Sequence, residues 1–244
     1  AIRDAAIPPR TGLFAFCPEP AMLRREERRT YDASTQIEEG DFVPRELFPK
    51  CVVVKLWGGH VLNAVGLTNP GLTALFDTGR WHHLNENFFI SVMAIKKRPH
   101  ERREEIERMR EILDRRLTYI TSTVGLQINF SCPNVGLDQK QGEEELFGEI
   151  EYALRVLNTL GIPLMPKLNV LFPIPLAKRV AKLPGCDAIC ISNTLPYGTY
   201  PNVIPWEDIF GSGDSPLLRR GFSQPGGYSG PLLLPFVTQW VEDA

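Results

Sequence analysis

Little net charge, no long apolar run and no paired cysteines are what first mark this chain. Across 244 residues, 27 Lys and Arg face 29 Asp and Glu, a formal charge of −2. A general nucleic-acid binder carries a basic excess, so that class is disfavoured. No apolar stretch approaches the roughly 20 residues that cross a bilayer, and a membrane partner is not expected. The opening AIRDAAIPPR lacks the basic-then-apolar order of a secretion signal. The five cysteines, Cys17, Cys51, Cys132, Cys186 and Cys190, are odd in number and contain no CxxC pair. Neither a disulfide framework nor a zinc ribbon is expected, and the reducing cytoplasm is the default compartment. Cys186 and Cys190 read as small structural thiols in an apolar stretch.

What is present is globular. Hydrophobic residues make up 43% and charged residues 23%, enough apolar surface to rule out a disordered chain. The first fifty residues are rich in proline and charge, and the run from Arg24 to Arg29 reads as solvated surface. Strand-like and helix-like segments then alternate. Strands are expected at 51–57, 88–95, 125–132, 163–170 and 187–193, where short β-branched or apolar runs occur. Helices are expected at 98–117, 143–160 and 175–183. In the first of these, Ile106, Met109, Ile112, Leu113 and Leu117 recur at helical spacing between charges. This alternation predicts parallel βαβ units in one α/β domain over residues 1–244, with an irregular segment at 1–50. Chemistry in such folds gathers at the C-terminal ends of the strands.

Those ends are consistently polar. QINFSCPN supplies Asn129, Cys132 and Asn134; MPKLN places Lys167 in an apolar strand; AICISNT ends on Asn193 and Thr194. Upstream, LNAVGLTNPG contributes Asn63 and Asn69; downstream, PGGYSGP contributes Gly226, Gly227, Ser229 and Gly230. Carboxamides offer donors and acceptors to a planar heterocycle. A buried lysine suits an electron-rich partner, and a cysteine on a tight turn can act as a base or nucleophile. Each residue also has a plain structural reading: asparagine as turn former, lysine snorkelling outward, cysteine as buried thiol. Turns alone do not require Asn, Cys and Lys in successive βα units. His82 and His83 suggest a metal at first sight, but no carboxylate or cysteine cluster accompanies them, and a solvated pair is expected.

The segments NAVGLTNPG from Asn63, NFSCPN from Asn129, MPKL around Lys167, SNT around Asn193 and GGYSG ending at Gly230 resemble the dihydroorotate dehydrogenase family. They fall in family order and span residues 51–235. The resemblance implies a (β/α)8 TIM-type barrel that uses FMN to oxidise dihydroorotate to orotate in pyrimidine biosynthesis. In that frame Cys132 is the general base at dihydroorotate C5, as in the soluble branch of the family, and hydride passes from C6 to flavin N5. Asn63, Asn129, Asn134, Asn193 and Thr194 match pyrimidine-binding positions. Asn129, Lys167, Ser229 and Gly230 match contacts to FMN, with Lys167 at the N1/O2 edge. The implied partners are a small pyrimidine and either a second copy of the chain or an electron-transfer subunit. The chain runs only to Ala244, so the barrel is expected to lack its last βα units, and no residue is assigned to the FMN phosphate. Two alternatives stand beside this reading. One is a related flavin oxidoreductase of uracil-type pyrimidines; the other is a non-catalytic barrel fragment serving in assembly.

Overall fold

The computed structural model describes residues 3–4, 49–65, 71–96, 98–130 and 142–244. Five strands form a parallel sheet in the order β1-β4-β5-β6-β7: β1 (Arg3–Asp4), β4 (Phe88–Val92), β5 (Val124–Asn129), β6 (Leu164–Leu168) and β7 (Cys190–Ile191). The helices α2 (Pro99–Arg116), α3 (Glu143–Leu157) and α4 (Ile174–Val180) connect β4 to β5, β5 to β6 and β6 to β7. The expected strands and helices of this half are present, with ends trimmed by a few residues. This is an α/β fold with a parallel sheet.

The helices form where local chemistry favours them. In α2, Pro99 occupies the first turn and the Glu101 carboxylate accepts the Arg98 backbone N–H at 3.2 Å, which satisfies an otherwise orphaned donor. In α3, Glu143, Glu144 and Glu145 fill the first turn and meet the positive end of the helix dipole. The faces carrying Ile106, Met109 and Leu113, and Ile150, Ala153, Leu154 and Leu157, are buried.

Strand register sorts the side chains onto two faces. A small cleft of about 30 Å³ lies where α2 and α3 meet the ends of β4 and β5, with the side chains of Ile106, Ile128 and Ala153 and the strand end at Asn129 in its wall. Ile128 therefore faces the helices, and so do Val92, its register partner, and Ile90 and Leu126 one pleat away. The opposite face carries Ser91 beside Gln127, and Asn129 beside Lys167 beside Cys190. Strand β5 is buried along its whole length, so its polar face lies inside the molecule.

A second sheet departs from the alternation read in the sequence. The segment at 51–57 contributes β2 (Val52–Lys55), which turns back as an antiparallel hairpin onto β3 (His60–Asn63). Gly58 and Gly59 both have positive φ and close that hairpin, so no helix follows β2. Strand β3 pairs with β9 (Gly227–Ser229), which pairs with β8 (Leu195–Pro196). Trp206 and Phe210 pack on the fully buried Tyr228 of β9, with the Trp206 and Tyr228 rings edge-on at 5.5 Å, and Tyr197 packs on Trp206 and Phe210 in turn. The helices α1 (Leu72–Asp77), α5 (Trp206–Phe210), α6 (Pro216–Arg219) and α7 (Leu234–Asp243) complete the α-helices among the described residues. Trp240 of α7 donates its indole N–H to the Phe172 carbonyl at 2.9 Å. This bond ties α7 to the loop after β6.

The loop leaving β4 is held by two charged side chains of α2. Glu105, only 2% exposed, accepts the backbone N–H groups of Ile95 and Lys96 at 2.8 Å each through Oε2. Arg102 donates to the Lys96 carbonyl at 3.0 Å and pairs with Glu149 of α3. Glu105→Ala removes the acceptor of two buried donors and is expected to cost about 3 kcal/mol. Urea unfolding against the parent checks this, and a loss below about 0.5 kcal/mol would contradict the clamp.

Candidate active site

The polar ends of β5, β6 and β7 meet in one buried patch. Lys167 lies in register between Asn129 and Cys190 and is 6% exposed. Asn193 and Thr194 follow β7 after Ser192 and are also buried. Asn193 donates from Nδ2 to Asn129 Oδ1 at 3.1 Å, and its own Oδ1 accepts the Thr194 backbone N–H at 2.9 Å. Four of the sequence-predicted residues, Asn129, Lys167, Asn193 and Thr194, therefore share one place. Burying the amides there is tolerable because they are hydrogen-bonded.

Three further polar residues join this patch that the sequence reading did not single out. Asn169 donates from Nδ2 to the Thr194 carbonyl at 2.7 Å and accepts the Leu171 N–H at 3.0 Å. Ser91 donates to Gln127 Oε1 at 3.1 Å, and Gln127 donates to Cys190 Sγ at 3.6 Å. Strand period held the clue: Gln127 stands two residues before Asn129, and Asn169 two residues after Lys167. A buried strand with polar residues at alternate positions presents them on one face.

Asn63, Ser229 and Gly230 lie on the antiparallel sheet. Asn63 is in register with Gly227, which is in register with Pro196, two residues beyond Thr194. Its Nδ2 donates to the Gly227 carbonyl at 3.4 Å. The chain from Asn193 to Leu195 is thus the joint between the two sheets. Ser229 pairs with Val61, and Gly230 follows it closely packed: a Cβ at Gly230 would lie 2.4 Å from Tyr228 Oη and 3.1 Å from the Gly59 carbonyl. The Tyr228 hydroxyl lies 2.8 Å from His60 Nδ1. Burial raises the Tyr228 phenol above its ordinary range, against the smaller opposing effect of the Leu232 backbone N–H. The phenol is therefore neutral near pH 7. It accepts from the Leu232 N–H.

A family model described as dihydroorotate dehydrogenase matches residues 36–242. The chain belongs to the dihydroorotate dehydrogenase family. It is 28% identical over 247 residues to the catalytic subunit of dihydroorotate dehydrogenase B (NAD(+)) of Geobacillus kaustophilus (strain HTA426), across 96% of this chain and 68% of that protein. Membership makes the chain a dihydroorotate dehydrogenase-like flavin oxidoreductase.

Two positions named for this dihydroorotate dehydrogenase family member, Cys132 and Asn134, lie outside the described residues, as do Asn69 and Cys17. Of the thiols that are described, Cys186 is the best defined. Burial, and secondarily the charge of Asp187, push its thiol up, and it donates to the Ala188 carbonyl at 3.6 Å. Such a thiol is protonated at neutral pH and is a poor base. His83 is exposed, as expected for a solvated residue, whereas the His82 ring is half-buried 6.2 Å from that of Tyr119. Among the described residues, no group of three or more His, Cys, Asp or Glu could hold a metal ion. No helix among them is long and apolar enough to cross a membrane.

Two measurements probe this geometry. Gly226 has φ +85°, and a Cβ there would stand 2.8 Å from the Asn63 carbonyl oxygen and 2.5 Å from Leu217. Gly226→Ala should cost about 3 kcal/mol through backbone strain and overpacking, read by urea unfolding; a neutral result would mean that β3 and β9 are not this close. Iodoacetamide labelling of Cys186, followed by peptide mass mapping, should be slower than that of a free thiol at pH 7. It should accelerate only above the ordinary thiol range, and free-thiol reactivity at pH 7 would contradict the burial.

Proposed function

We propose that this chain carries out the FMN-dependent oxidation of dihydroorotate to orotate in pyrimidine biosynthesis, with Cys132 as general base. The observation that carries the reading is the buried set of Lys167, Asn129, Asn193 and Thr194 at the ends of successive strands. Each stands at the position where the family resemblance expects a ligand contact.

The donor set suits FMN. An ammonium held among amides at a strand end fits the edge of a ring system that gains negative charge on reduction. Gly230, with no room for a side chain between Tyr228 and Gly59, fits a backbone that meets a flat ring closely. When bound, FMN supplies the two-electron acceptor. Cys132 removes the proton from dihydroorotate C5. Asn63, Asn129, Asn134, Asn193 and Thr194 hold the pyrimidine ring and its carboxylate, fixing C6 toward the flavin face. Lys167, with Asn129, Ser229 and Gly230, holds the cofactor. The parallel sheet is then part of the wall of a (β/α)8 barrel whose core is residues 51–235. The likeness to an NAD(+)-linked catalytic subunit favours an electron-transfer partner subunit over a homodimer as the route by which electrons leave.

The absorbance of the purified full chain tests cofactor and reaction together. A flavin band that bleaches on anaerobic addition of dihydroorotate is the expected result. Cys132→Ser should lower turnover by about 100-fold or more, the usual scale for a lost general base, while orotate affinity stays within about threefold. Unchanged turnover in Cys132→Ala would refute the base assignment. Tighter binding of uracil than of orotate would move the substrate to pyrimidines without a carboxylate.

A further inference from the structure

The antiparallel sheet has two faces, and strand period assigns each residue to one of them. Leu62, Tyr228 and Leu195 are in register and fully buried. Val61, Asn63 and Ser229 project to the opposite face and are half-buried. Tyr228 and Ser229 therefore leave β9 on opposite sides. The strand runs directly into Gly230 and a single turn of helix at Pro231–Leu233.

The Tyr228 side chain leans along its own strand. A Cβ placed on Gly230 would lie 2.4 Å from Tyr228 Oη and 2.8 Å from its Cζ. The phenol thus fills the place of the side chain that position 230 lacks. From there one oxygen reaches three segments. It lies against Gly230, stands 2.8 Å from His60 Nδ1 on β3, and accepts the Leu232 N–H. The next donor of the turn, the Leu233 N–H, bonds to the Gly230 carbonyl at 3.0 Å. The ring contacts of Tyr228 with Trp206 and Phe210 do not require this oxygen. A buried hydroxyl in a well-packed aromatic cluster is tolerated because it is bonded, and its bonds all converge on the backbone around Gly230.

We propose that the Tyr228 hydroxyl is a positioning group for the cofactor: joined to Leu232 and His60 behind the Ser229–Gly230 backbone, it fixes the course of that backbone, whose other side meets the flavin. The inference rests on the reading of Ser229 and Gly230 as FMN contacts and adds to it the residue that holds them in place. Tyr228 touches no ligand and acts through the main chain. The buried patch of Asn129, Asn193 and Thr194 makes no bond to this oxygen, so its effect falls on the cofactor and not on the pyrimidine.

Tyr228→Phe removes the oxygen and keeps the ring. In the full chain the dissociation constant of FMN should rise about tenfold, the scale of one lost hydrogen bond, while FMN-saturated protein binds orotate within about threefold of the parent. The visible circular dichroism of the bound flavin should change at saturation, a signature that lowered stability alone does not produce. Without FMN, the Leu232 amide proton should exchange with solvent about tenfold faster, while the Ile95 amide proton, held by Glu105, keeps its parental rate. His60→Gln, which retains a polar partner for the hydroxyl, should stay near the parent, and His60→Leu should move FMN affinity in the same direction as Tyr228→Phe. If Tyr228→Phe does not fold, FMN affinity and flavin dichroism in His60→Leu against His60→Gln decide. Parental FMN affinity and parental dichroism in Tyr228→Phe would overturn the proposal. So would an equal loss of FMN and orotate affinity, which marks general loosening. A parent chain that binds no FMN while the Leu232 amide responds as stated would sink the cofactor reading and the role toward flavin, leaving only the backbone contact.

Discussion

Polar groups can be buried at the end of a sheet only when hydrogen bonds replace the water they leave. That constraint organises this molecule. Lys167, Asn129, Asn193 and Asn169 are all buried near the ends of β5, β6 and β7, and the bonds of the three asparagines meet at Asn193 and Thr194. The Thr194 carbonyl accepts from Asn169, the Thr194 N–H donates to Asn193 Oδ1, and the chain leads directly into β8. One short stretch therefore satisfies the buried amides and passes the chain from the parallel sheet to the antiparallel one.

The surrounding structure serves this arrangement. The apolar faces of α2 and α3 cover the outer side of the sheet, which leaves the inner side for Ser91, Gln127, Asn129 and Lys167. Glu105 and Arg102 hold the loop after β4 by its backbone, so the strand end next to Asn129 has a defined position. On the antiparallel side, the aromatic cluster around Tyr228 fixes β9, and β9 fixes Asn63 through Gly227. Binding residues borne on strands and backed by packed elements are held more precisely than residues on free loops.

The parallel half was legible because its signals are local. Alternation of β-branched runs with amphipathic stretches located β4, α2, β5, α3, β6 and α4, and the polar residues closing each strand marked the end at which to look. The antiparallel half was not legible. β3, β8 and β9 are each two to four residues long, too short for period two to stand out, and the pairing of β3 with β9 joins segments more than 160 positions apart, as between Asn63 and Gly227. Asn169 escaped notice for a related reason. Its partner is the carbonyl of Thr194, and a backbone group leaves no trace in a sequence.

By itself the sequence determined the βαβ rhythm, the residue types available for chemistry and the motifs that resemble a flavin enzyme, because each is written in neighbouring residues. Only the tertiary structure decided that Lys167 stands between Asn129 and Cys190, that Asn63 is carried in on a separate sheet, and which way each amide of the Asn169–Asn193–Asn129 series is turned. Strand register and hydrogen-bond direction are relations between distant segments, fixed when packing brings their backbones together.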